Sequence, residues 1–79
     1  MEIAYVLVTS EIAHEMDVMR ELLKLDFVKE AKGTFGVYDI FVKIEANSSK
    51  EIEDIVTKQI RKTKHVLSTT TLPIIPEQD

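Results

Sequence analysis

The spacing of apolar residues switches along this chain between strand-like and helix-like periods, and the order of those switches constrains the fold more than any single motif. From Ile3 to Val8 the run IAYVLV is nearly continuous, too short for a helix and rich in β-formers, which predicts a strand covered on both faces. Ile12, Met16, Met19 and Leu23 then recur at three and four residues, with Val18, Leu22 and Leu25 beside them. Glu15, Asp17, Arg20, Glu21 and Lys24 fill the other side, so the segment predicts an amphipathic helix. FVKEAK is a weaker, charged strand whose Lys29 and Lys32 suit a sheet edge, where lysine discourages pairing with another chain. Gly33 and Gly36 turn the chain into VYDIFVKIEA. That strand places Tyr38, Ile40, Val42, Ile44 and Ala46 on a core face and Val37, Asp39, Phe41, Lys43 and Glu45 on the other.

Ser48 and Glu51 make a capping box, in which hydroxyl and carboxylate each satisfy a backbone N–H at the start of a second helix carried by Ile52, Ile55, Val56 and Ile60. Lys58, Arg61, Lys62 and Lys64 follow, where the carboxyl end of the helix dipole is negative. HVLSTTTLPII reads as a last strand, with Pro73 and Pro76 at its fraying end and PEQD as a polar tail. The order βαββαβ predicts a ferredoxin-like α+β domain over residues 1–75, with 76–79 as tail. Its four-stranded antiparallel sheet carries both helices on one face. The opposite face would be lined by some of Tyr5, Leu7, Phe41, Leu67 and Thr69, and an exposed apolar sheet of this kind marks a protein interface. A dimer packed sheet to sheet would cover it. Length argues the same way, since a domain of 79 residues removes only about 60% of its unfolded surface from water by itself.

Composition excludes several functions. No cysteine is present, which removes disulfides, thiolate zinc sites and thiol catalysis and fits a reducing compartment, the cytoplasm by default. The opening MEIAYVLVTSEIAHEMD has no basic leader and carries Glu2, Glu11 and Glu15, unlike a signal peptide or membrane span. A net charge of -4 opposes long-range attraction to phosphate, so direct nucleic-acid binding is not expected. His14 and His65 lie far apart in the sequence, and Glu11 and Glu15 suit a solvated helical turn, so neither a metal nor a cofactor is expected. Ser10, Ser48, Ser49 and Ser68 have no adjacent base and orienting acid. The two glycines lead into a strand rather than a helix, which is no phosphate loop.

Three other functions use the same architecture. An acylphosphatase-like enzyme needs an arginine-bearing loop after the first strand, where this chain has VTSEIAHE. An RNA-recognition domain would stack bases on Tyr5 and Phe41, but Asp39 and Glu45 share the face of Phe41 and would repel phosphates. A cofactorless dimeric monooxygenase or isomerase would want polar groups between helices and sheet, where Met16, Met19, Leu23, Ile55 and Val56 offer none.

GTFGVYDIFVKIEA at 33–46 and HVLSTTTLPII at 65–75, with the helix from Ser49 between them, resemble the effector-binding domain of the Lrp/AsnC transcription regulators, known as RAM. The first resembles that family's glycine, aromatic, aspartate hairpin and the second its threonine-rich closing strand, and the likeness runs from about Ile3 to Ile75. Full-length members carry a helix-turn-helix domain first, whereas this chain opens on the first strand and so is similar to the stand-alone form. The resemblance implies a non-enzymatic amino-acid sensor. It implies a dimer joined through the sheets, assembly into octamers or decamers, small amino acids held between dimers, and full-length Lrp/AsnC regulators as partners. A zwitterion needs an acceptor for its ammonium and donors for its carboxylate. Asp39 would be the acceptor, Gly33 and Gly36 would admit main-chain N–H groups, hydroxyls of Thr69, Thr70 or Thr71 would add donors, and Tyr38 adjoins them. The bland alternative is that the glycines only serve the turn, Asp39 only buttresses it, and the threonines are only good β-formers.

Overall fold

The computed structural model describes residues 2–34, 36 and 38–74. The elements run β1 (Glu2–Ser10), α1 (Glu15–Leu23), β2 (Val28–Gly33), β3 (Ile40–Ala46), α2 (Ser49–Ile55) and β4 (Val66–Pro73), and α2 continues as a π-helical segment from Val56 to Ile60. All pairings are antiparallel, in the order β2-β3-β1-β4, so Val6 at the centre faces Val42 on one side and Thr71 on the other. This is the predicted ferredoxin-like arrangement. Among the described residues no helix is long and apolar enough to cross a membrane.

Alternation along the strands decides which face is buried. Ala4, Val6 and Val8 of β1 and Ile40, Val42, Ile44 and Ala46 of β3 point to one side, where Val18 and Leu22 of α1 and Ile52, Ile55, Val56 and Ile60 of the second helix close a single core. The first strand, expected to be covered on both faces, is covered on one. Ile3, Tyr5, Leu7 and Thr9 remain half-buried on the other, because among the described residues no second layer covers them.

Ser48 Oγ accepts from the Glu51 N–H at 3.1 Å, and the Glu51 carboxylate accepts from the Asn47 N–H at 3.0 Å. The capping pair therefore forms, with the carboxylate reaching one residue further back than the motif requires. Ser48→Ala is expected to cost about 1 kcal/mol, read by chemical denaturation; no change would mean that water replaces the cap.

Two expectations need correcting. Helix α1 starts only at Glu15, and of the residues thought to face its core side Ile12 is 91%, Met16 59% and Leu23 52% exposed. Val18 and Leu22 are fully buried instead, with Met19 and Leu25 packed against the core. Two apolar stripes of equal period run along this helix, and period alone does not say which is turned inward. In β4, Thr69 and Thr71 pair with Val8 and Val6 and so face the helices, while Thr70 and Leu72 pair with Leu7 and Tyr5 on the open face. A register shift opposite Thr9 and Ser10 sets this phase, leaving Leu67 62% exposed. Val37, Ile75, Pro76 and the polar tail, which also figured in the expectations, lie outside the described residues.

Candidate functional site

The hairpin between β2 and β3 closes through the Thr34 N–H, which donates to the Asp39 carbonyl at 2.7 Å, and through the Thr34 hydroxyl, which donates to the Tyr38 carbonyl. Strand β3 begins at Ile40, so Tyr38 and Asp39 lie just before it, both half-buried. Asp39 is bound to the central strand at two points. Its N–H donates to the Val8 carbonyl at 3.0 Å, and its carboxylate accepts from the Ser10 N–H at 2.9 Å. The side chain thus stands in for a backbone carbonyl and extends the β1–β3 ladder past the last true rung. A carboxylate has two oxygens and about four acceptor positions, so this bond leaves capacity for an ammonium.

Gly36 has φ +116° and open space where a Cβ would stand, whereas a Cβ on Gly33 would meet only the Asp39 carbonyl at an ordinary 3.9 Å. Gly36→Ala is therefore expected to cost about 1 kcal/mol or more through the backbone alone, and Gly33→Ala about 0.5 kcal/mol or less. Thermal denaturation of the two variants compares them, and equal losses would contradict this assignment.

Gly33, Gly36, Tyr38 and Asp39 come together at one end of the sheet, and the three threonines do not join them as a group. Thr69 accepts a hydrogen bond from Arg61 Nε at 3.0 Å on the helix side, Thr70 sits on the open face, and Thr71 lines a cleft beside α2. Across β1, the Thr69 backbone lies two strand spacings, about 10 Å, from that of Ile40. Thr34 and Ser10 are not among the residues expected at this site. Thr34 carried a weak signal in standing between the glycines; Ser10 carried none, since its pairing with Asp39 depends on register.

The open face holds a Tyr5–Phe41 stack with ring centroids 4.9 Å apart and planes at 24°. On that face Lys43 Nζ lies 3.8 Å from the Glu45 carboxylate, the two charges offsetting each other. The cleft beside α2, about 370 Å³, is lined by Glu2, Ile3, Ser49, Ile52, Glu53, Thr71 and Ile74. Among the described residues its internal polar pair is the Ser49 hydroxyl donating to Glu2 at 3.1 Å, and none of those lining it is an imidazole or lysine that could activate a nucleophile.

Beyond the β1 end of the sheet, His14 and His65, distant in sequence, stack ring on ring at 3.7 Å with planes 10° apart. His14 Nδ1 bonds Asp17 at 3.2 Å and His65 Nδ1 bonds Glu11 at 3.1 Å. The His14 hydrogen bond first, and then the Arg20 guanidinium, hold the Asp17 carboxyl below the usual carboxylate range.

A family profile described as Lrp/AsnC ligand binding domain matches residues 3–77. Among solved structures, FFRP-DM1 is 35% identical with a TM-score of 0.90, covering 95% of this chain and 100% of that one. The hypothetical protein PHS023 from Pyrococcus horikoshii is 35% identical with a TM-score of 0.89, covering 98% and 93%. E. coli AsnC is 25% identical with a TM-score of 0.86 over 99% of this chain, which spans 54% of AsnC. No curated relative matches the sequence.

Proposed function

Because the chain belongs to the Lrp/AsnC ligand-binding domain family, whose members act in regulation, we propose that these 79 residues sense a small amino acid without catalysis. The amino acid lodges at a contact between subunits, beside Asp39 and the Gly36 turn. The observation that carries this reading is Asp39 itself, a carboxylate pinned by the Ser10 N–H at the rim of the sheet with acceptor capacity left over. An ammonium would bind there, the ligand's carboxylate would meet donors of the hairpin or of a second subunit, and the side chain would be selected by that second surface.

Support for self-association comes from the open face, where Ile3, Tyr5, Leu7, Phe41 and Leu72 stay partly or largely accessible in the single chain. Pairing two such faces gives the dimer, and further contacts between dimers give octamers or decamers. Linkage then does the regulatory work: a ligand that binds one assembly better stabilises it by an amount set by its concentration over its dissociation constant. The output passes to DNA through co-assembly with full-length Lrp/AsnC regulators, not through contacts of this cytoplasmic domain, whose net charge is -4.

A thermal-shift screen of the twenty amino acids, read beside mass by light scattering, tests the proposal. One or a few amino acids should raise the unfolding midpoint and change the mass together. No response in either quantity to any amino acid would overturn it.

A further inference from the structure

We propose that Glu11, His14 and His65 form a binding site for a late first-row divalent metal ion of the Zn²⁺ type. One potential ligand atom from each of the three lies within 4.8 Å of the others. Two imidazoles and a carboxylate are the donor set that favours zinc, nickel or copper over the hard cations magnesium and calcium. Three protein ligands leave a fourth position for water or a small anion.

The surroundings are those of a supported site. An ionised carboxylate only accepts, so Asp17, outside the triad, holds the His14 ring with Nδ1 as donor and Nε2 as the bare lone pair, while Glu11 already touches His65 Nδ1 at 3.1 Å. Carboxylates behind ligating histidines fix the tautomer and raise the basicity of the metal-facing nitrogen in this way. Among the described residues the only non-glycine positions with positive φ are Ala13 at 72° and His65 at 74°, so the left-handed backbone falls on one histidine and on the neighbour of the other. The buried Ser10 hydroxyl, which has no partner, precedes Glu11 and stands opposite Val66, the neighbour of His65. Four separate features therefore converge where β1 ends and β4 begins.

Binding requires movement. Imidazole lone pairs lie in the ring plane, so rings 10° from parallel cannot aim both at one point, and ligand atoms around Zn²⁺ stand about 3.3 Å apart. The rings must fan open and Glu11, whose side chain is 49% exposed, must swing in. Loading thus replaces the stack, which gives the test a signature that surface binding lacks. The proposal stands independently of amino-acid sensing.

Chelator-treated protein titrated with Zn²⁺ by calorimetry should take up one equivalent per chain and unfold at higher temperature, while Mg²⁺ does neither. His14→Ala and Glu11→Gln, each checked by circular dichroism for an intact fold, should weaken uptake at least about tenfold. Proton NMR should show both imidazoles losing their mutual ring-current shift as zinc is added. Absence of stoichiometric uptake, uptake unaltered in both variants, or imidazole signals that do not move would each overturn the proposal.

Discussion

Phe41→Asp is expected to yield a folded monomer. The Phe41 ring stacks on Tyr5 and pairs with Leu7 on the face that no element among the described residues covers. Its loss therefore leaves the helix-side core of Val42, Ile44 and Leu22 untouched. In a sheet-to-sheet dimer the substitution appears twice, once on each side of a two-fold axis, burying two carboxylates in the interface. An unpaired charge buried at an interface costs several kcal/mol. Each tenfold in affinity is about 1.4 kcal/mol, so dissociation should strengthen by about a thousandfold or more. Sedimentation velocity with circular dichroism checks this: native-like helix content at monomer mass is the expected result, and an unchanged larger mass would place the interface elsewhere.

Asp39 should separate structure from recognition. Asparagine keeps an oxygen able to accept the Ser10 N–H but loses the charge, whereas alanine loses both. A hydrogen bond to a charged group contributes about 1.5–3 kcal/mol, so Asp39→Asn should lower amino-acid affinity about ten- to a hundredfold with near-normal stability. Asp39→Ala should lose the same affinity and, by leaving the Ser10 N–H without an acceptor, a further 1–3 kcal/mol or so of stability. Calorimetry with the amino acid selected by thermal shift, beside denaturant unfolding, distinguishes the two. Full affinity in Asp39→Asn would remove the carboxylate from the ligand site.

The architecture was legible in the sequence because period, capping pair and glycine turn all agree locally. Ile40 to Ala46 alternate strictly, and Ser48 with Glu51 marks a helix start whatever surrounds it. What escaped depends on phase rather than period. Met16, Met19 and Leu23 repeat as faithfully as Val18, Leu22 and Leu25, yet packing buries Val18 and Leu22, sets Met19 and Leu25 at the margin of the core and exposes Met16 and Leu23. The threonines show the same ambiguity, since a single irregularity opposite Ser10 exchanges the faces of Thr69 and Thr70. Residues distant in sequence were invisible altogether, as with Asp39 reaching Ser10 and His14 meeting His65.

Ligand-linked assembly is tested most directly by sedimentation velocity over a range of protein concentrations, with and without the amino acid that shifts the unfolding midpoint. The expected result is a species at dimer mass or a multiple of it, whose distribution moves when the amino acid is added and stays fixed for Asp39→Asn. A monomer that binds the amino acid and remains a monomer would contradict the account.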